Sequence, residues 1–259
     1  MEKNRITELF REKKENILSI YFCAGYPKAE NTAEVISALE RNGVDMVEVG
    51  IPFSDPMADG VVIQEASAEA IRNGMNLKRL FAQLSGIRRT VRIPLVLMGY
   101  MNPIMQYGFG EFFKRCSECG IDGCIIPDLP FEEYMAEIKP LADKYSVCVI
   151  MLVTPETSAE RIRKIDENTD GFIYMVSAAS TTGARDSFDE ETLAYFKRIA
   201  AMQLRNPRMI GFGISNRATF SAACTYASGG IIGSRFIGIM GKCGNAGDGI
   251  RQLKEELSR

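Results

Sequence analysis

One local pattern recurs along the chain: an amphipathic helix ends, a Gly or Asp turn follows, and a short run of β-branched and other apolar residues begins. It occurs in RNGVDMVEVG (41–50), CGIDGCIIPD (119–128), NTDGFIYMVS (168–177) and ASGGIIGS (227–234). Further apolar runs stand at LSIYFC (18–23), PLVLMGY (94–100), VCVIML (147–152) and MIGFG (209–213), which makes eight candidate strands. Helical periodicity fills the intervals, as with Val35, Ile36 and Leu39 before Gly43, or Ile162 and Ile165 before the Asp170–Gly171 turn. Eight strands alternating with helices over about 250 residues is what a (β/α)8 barrel requires. An open doubly wound sheet shares the alternation, but no G-x-G-x-x-G opens the first helix, and the strand count favours closure. The pattern therefore predicts an α/β fold, a (β/α)8 TIM barrel forming one domain over 1–259. Extra helices are expected at the N-terminus (Ile6, Leu9, Phe10) and at the C-terminus (Ile250, Leu253, Leu257).

Composition narrows the possible partners. With 46% apolar residues the chain can bury a substantial core, and 31 basic residues interspersed with 33 acidic ones give no electrostatic footprint for nucleic acid or an anionic membrane. The opening MEKNRITELFREKKEN is too charged for a signal peptide. The uncharged run from Ile93 to Gly110 is interrupted by Pro94, Asn102, Pro103 and Gln106 and does not qualify as a membrane span. A cytoplasmic location is expected. Seven cysteines suggest reduced thiols rather than a disulfide framework. Cys116 and Cys119 form a C-x2-C with Cys124 nearby, but no fourth ligand follows at zinc-like spacing and the chain has no histidine, so these are read as buried thiols and no metal is expected.

Against this background Glu48 stands out, a carboxylate set into the apolar run MVEVG and followed by the loop IPFSDPMADG with Asp55 and Asp59. In a barrel, catalytic groups sit at the C-terminal strand ends and on the loops after them. Glu48 is at such an end, as are Tyr21, Tyr100, Asn102, Asp128, Tyr174, Ser177, Gly211, Gly213, Gly233 and Ser234. A satisfied structural carboxylate would also explain Glu48, and Ser54-Asp55-Pro56 is ordinary turn chemistry. Two later segments, GFGIS (211–215) and GGIIGSRF (229–236), place glycines at the last two strand ends, where unobstructed backbone N–H groups at a helix start can bind phosphate without a basic side chain. Gly183 in STTGAR could add another N–H. Without histidine there is no Ser-His-Asp triad and no His-plus-Glu enolising site. No lysine falls at a predicted strand end, which disfavours a Schiff-base aldolase. Carboxylate acid-base catalysis remains, on a phosphorylated substrate that brings its own electron sink.

VEVGIPFSDPMADG, YMVSAASTTGAR, GFGIS and GGIIGS together resemble the tryptophan synthase alpha chain, in order and over nearly the whole length. The resemblance implies a lyase that cleaves indole-3-glycerol phosphate by retro-aldol into indole and glyceraldehyde 3-phosphate. It implies as partner a beta chain in an α2β2 complex, with pyridoxal phosphate held by that partner and no cofactor in this chain. By resemblance Glu48 is the acid-base group and Asp59 receives the indole N–H. Tyr174 corresponds to the tyrosine beside the catalytic glutamate, and Tyr21, Tyr100, Thr182, Phe212 and Ile231 belong to the substrate site. Gly183, Gly213, Gly233 and Ser234 correspond to the phosphate contacts. Burial at the mouth is expected to raise the pKa of Glu48, while Asp59, on a loop with little apolar content to pack itself, stays ionised on a mobile segment.

This chain departs from the family pattern at Ala178 and Ser180, where many relatives carry an Arg and a further Gly, and at Arg235, where a small residue is more usual. The expected docking face for the partner is the barrel mouth, with Asp55, Pro56, Asn102, Pro103, Asp128 and Phe131. Three other functions stay open from the sequence: a standalone indole-releasing enzyme, a phosphate-binding barrel isomerase of amino-acid biosynthesis, and a catalytically silent activating subunit.

Overall fold

The computed structural model describes residues 4–177 and 187–258. Its strands are β1 (Ile17–Cys23), β2 (Met46–Gly50), β3 (Leu95–Met98), β4 (Gly123–Ile125), β5 (Cys148–Ile150), β6 (Leu152–Val153), β7 (Ile173–Val176), β8 (Arg208–Gly211) and β9 (Gly229–Ile232). All pairings are parallel, in the order β5-β4-β3-β2-β1-β9-β8-β7-β6. The strand expected over 147–152 is thus two short pieces separated at Met151. The first pairs with β4 and the second with β7, so the one continuous segment joins both ends of the sheet and closes the barrel. Apolar residues on both sides of Met151 left no sign of this division in the sequence.

Strands buried on both faces explain why these runs are continuously apolar rather than alternating: β1, β2, β3, β7 and β9 are buried along their entire length. The helices Thr32–Arg41, Leu77–Leu84, Phe109–Cys119, Ala159–Asn168 and Glu190–Ala200 each turn an apolar stripe onto the barrel, with Val35, Ile36 and Leu39 buried in the first.

The N-terminal helix Arg5–Glu12 closes the end of the barrel opposite the strand C-termini. Ile6 is fully buried there, so close to Gly123 that a Cβ on that glycine would meet it at 3.0 Å. Asp122 anchors the same helix: its carboxylate accepts from the Arg5 backbone N–H and guanidinium and from Arg88, and its carbonyl accepts from Asn4. At the other terminus, helix Ala246–Ser258 packs Ile250 and Leu253 into the core and is tied to the chain's first half by Lys254 donating to the Asn42 carbonyl. Both termini therefore brace the frame and leave the C-terminal mouth open.

Candidate active site

Strand register sets the level of the groups at the mouth. Tyr21 of β1 pairs with Glu48 of β2, and Glu48 with Val96 of β3. Side chains at alternate positions share a face, so Ser19 and Tyr21 point inward together with Met46 and Glu48. Space for the aromatic rings comes from glycines on the neighbouring strands. A Cβ on Gly50 would fall 2.2 Å from the Tyr21 hydroxyl, and one on Gly211 would fall 2.0 Å from that of Tyr174. Any larger residue at either position would displace a tyrosine from the mouth.

Glu48 is fully buried, and its carboxyl is turned back along β1, where the Ser19 hydroxyl donates to Oε1 at 3.1 Å. The other oxygen, Oε2, is buried and has no hydrogen-bond partner among the described residues. Burial pushes this carboxyl from 4.5 up to about 8, with the Ser19 hydrogen bond acting in the opposite direction. Asp59 is buried to a lesser degree, and its carboxyl is raised from 3.8 to about 6, again through burial, with the Tyr100 hydroxyl donating at 3.3 Å and holding it down. Two carboxyls at one mouth thus differ in charge at neutral pH, Glu48 holding its proton and Asp59 mostly ionised.

Asp59 lies on a loop that the sequence suggested would be mobile, yet other elements tie this loop down. The Phe53 N–H donates to Ser67 Oγ at 2.8 Å, and Ser67 Oγ donates to the Phe53 carbonyl at 3.0 Å. Ala58 N–H donates to the Tyr100 hydroxyl at 2.9 Å, and Gln64 donates to the Asp59 carbonyl at 2.7 Å. Side chains on the following helix and on β3's exit supply what the loop's own composition lacks. Only its tip is exposed, at Ser54, Asp55 and Met57.

A cavity opens at the mouth. Asp59, Tyr21, Tyr174, Phe212, Gly213, Ile231, Gly233 and Ser234 all line it, together with Ile63, Met98, Ile214, Ser215 and Arg235. Glu48 and Tyr100 do not: Glu48 is withdrawn toward Ser19, and Tyr100 stands behind Asp59. At one end of the cavity, helix Ser234–Cys243 begins at Gly233 with no side chain capping its first N–H groups. After the adjacent strand β8, Phe212 and Gly213 both take positive φ, +66° and +74°, with the Phe212 carbonyl accepting from Ser177 at 2.5 Å. This left-handed turn is why GFG follows the strand. Arg235 reaches neither an isolated solvent position nor a free anion role, because its guanidinium forms a two-pronged pair with Glu256 of the C-terminal helix at 2.7 and 2.8 Å. Ala178, Ser180, Thr182 and Gly183 lie outside the described residues.

Of the residues expected on the docking face, Asp55, Asn102 and Asp128 are exposed and Pro56 and Pro103 half-buried. Asn102 and Pro103 belong to a helix, Met101–Tyr107, whose first N–H is accepted by Asp128 at 2.8 Å. Phe131 is instead buried, with the Arg161 guanidinium 4.5 Å above its ring. Met57, Val61 and Met105 are large apolar side chains left exposed, on the loop tip and on helices that begin at the strand ends. Cys116, Cys119 and Cys124 are buried free thiols, and among the described residues no group of three Cys, Asp or Glu side chains is placed to hold a metal.

A family model of the tryptophan synthase alpha chain matches residues 8–258. The chain belongs to the tryptophan synthase alpha chain family. The tryptophan synthase alpha chain of Bacteroides fragilis is 62% identical over 255 residues, covering 98% of this chain and 97% of that one. That of Bacteroides thetaiotaomicron is 60% identical, covering 98% and 99%. Among solved structures, tryptophan synthase subunit alpha from Legionella pneumophila superposes with a TM-score of 0.85 at 33% identity, covering 99% and 96%. Membership makes this chain an enzyme of tryptophan biosynthesis, a lyase, and an alpha subunit with a beta chain as its partner. No helix among the described residues is long and apolar enough to cross a membrane.

Three features of the site had weak or no sequence signal. Ser19 was detectable only as a small polar residue at an inward position of an otherwise apolar strand. Ile63 and Met98 complete the cavity wall from a helix start and a strand end. The Arg235–Glu256 pair spans 21 residues and depends on how the last helix docks.

Proposed function

We propose that this cavity cleaves indole-3-glycerol phosphate by retro-aldol, with Glu48 as acid and base and Asp59 as the acceptor of the indole N–H. The observation that carries the reading is the pair of carboxyls at one mouth, one kept neutral by burial and the other mostly ionised. In the reaction, Glu48 gives its proton to indole C3, and the ring becomes an iminium with positive charge on nitrogen. Asp59, ionised, favours that charge. The bond from C3 to the glycerol carbon then breaks, its electron pair returning to the ring to regenerate indole. The adjacent hydroxyl becomes the aldehyde, and its proton goes to the Glu48 carboxylate. The group ends as it began, so a carboxyl that rests protonated is the one required.

Two interactions position the substrate. The phosphate sits against the uncapped start of helix Ser234–Cys243 and the Gly213 turn, where backbone N–H groups bind an anion without a basic side chain. Tyr21, Tyr174, Met98 and Ile231 offer an apolar wall for the indole ring. Glu48 acts after its carboxyl rotates from Ser19 toward the cavity. The beta chain would dock on the mouth, over Asp55, Pro56, Asn102, Pro103, Asp128 and the exposed Met57 and Met105, in an α2β2 assembly, and pyridoxal phosphate would belong to that partner.

The test is turnover of Glu48→Gln and Asp59→Asn. Removal of an acid-base group costs on the order of 100- to 10,000-fold, and more where it serves two steps. Glu48→Gln within threefold of the unsubstituted enzyme would refute the assignment. Asp59→Asn should lower kcat more than it raises KM, since its charge matters most once the ring nitrogen is cationic.

A further inference from the structure

Ser19 lies in ILSIYFC, a strand whose other inward side chains are apolar or aromatic, and it is fully buried. A hydroxyl so placed needs a partner, and its partner is Glu48 Oε1 at 3.1 Å. Among the described residues no other hydrogen bond holds that carboxyl, and Oε2 has none. The cavity wall does not include Glu48. The acid of the reaction therefore rests in a half-satisfied position, facing away from the space where substrate binds.

We propose that Ser19 is a positioning residue for Glu48: its hydroxyl holds the carboxyl withdrawn while the cavity is empty and yields it when substrate fills the mouth. This rests on Glu48 being the acid-base group. A substrate hydroxyl can satisfy the carboxyl that Ser19 satisfies only in part, and that difference in partners is what shifts the population from withdrawn to raised. The surroundings leave Ser19 as the main polar influence. Tyr21 on β1 and Tyr174 on β7 face Glu48 as neutral phenols, both with hydroxyls pushed up by burial. Asp59 and Tyr100 stand at the same mouth, and β3 offers only Val96 at this level. No described cation shifts Glu48. The Ser19 hydrogen bond favours the ionised form, so its loss raises the pH at which Glu48 titrates.

The test is the protonated-carboxyl infrared band of ligand-free protein across pH, assigned by its absence in Glu48→Gln, together with the pH profile of indole formation. In Ser19→Ala the midpoint of the band should rise by about one pH unit, a tenfold change in proton affinity. The alkaline limb of kcat/KM should move by the same amount, while Ser19→Thr, which keeps the hydroxyl, should stay with the parent. An unmoved midpoint in Ser19→Ala, or a uniform loss of activity without a shift, would overturn the proposal whether or not Ser19→Thr folds. Wild-type activity in Glu48→Gln would overturn the reading of Glu48 itself, whereas an unmoved midpoint beside an inactive Glu48→Gln overturns only the role of Ser19.

Discussion

Replacing Glu48 with Gln should stabilise the protein even as it abolishes turnover, and the gain should grow with pH. Burial raises this carboxyl from 4.5 to about 8, whereas in the unfolded chain it ionises near its ordinary value. Between these values the folded state holds a proton that the unfolded state has lost. Stability is therefore full below 4.5 and falls as pH rises toward 8, by about 1.4 kcal/mol for each pH unit. Above 8 both states are ionised and the loss is constant. The amide of Gln carries no charge in either state and suffers no such loss, while its carbonyl still accepts from Ser19. From pH 5 to pH 7.5, roughly 2.5 units, the difference between variant and parent should widen by about 3 kcal/mol. Glu48 is fully buried, so water does not screen the effect. Asp59 titrates in both proteins and cancels. Equilibrium urea unfolding of both proteins at pH 5, 6, 7 and 7.5 measures the difference. Parallel stability curves would refute the claim that this carboxyl rests protonated.

Further outcomes follow from the same geometry. The kcat/KM profile should be a bell, rising as Asp59 ionises near pH 6 and falling as Glu48 loses its proton near pH 8; a profile flat through pH 9 would contradict the assignment. Tyr100→Phe removes the hydroxyl that holds the Asp59 carboxyl down and should move the acid limb upward, which a pH titration of kcat/KM would detect. Ser234→Asp sets a like charge at the start of the last barrel helix and should raise KM for the phosphorylated substrate at least tenfold, with unchanged KM counting against the phosphate site. At the opposite end, Asp122→Ala strands the largely buried Arg88 and should cost about 3 to 5 kcal/mol in denaturant unfolding without altering the catalytic pH profile.

The fold was legible because a closed parallel barrel makes its strands almost continuously apolar, and in that pattern one carboxylate at a strand end is conspicuous. Glu48 could be singled out by polarity alone. What it touches could not, because the same strand position permits a carboxyl raised into the mouth or turned back to Ser19. The ties on the Asp59 loop were hidden for a related reason. They come from Ser67 and Tyr100, 14 and 42 residues from the groups they hold, while the loop's own sequence shows only turn formers. Phe131 read as part of an exposed turn, but it packs into the core beside Tyr134, with Arg161 from a later helix over its ring. The division of the closing strand at Met151 left no trace, since pairing with different neighbours requires no change of residue type.

The central claim is that this chain breaks the carbon–carbon bond itself, and that its exposed mouth is built to be covered by a partner. Following indole and glyceraldehyde 3-phosphate released from indole-3-glycerol phosphate, first by the isolated chain and then with a tryptophan synthase beta chain added, tests it most directly. Equimolar products at a slow rate alone, and a rise of well over tenfold with the partner, are predicted, corresponding to more than about 1.4 kcal/mol of barrier. No indole from the chain in either state would contradict the account, and equal rates in both would assign the standalone reaction instead.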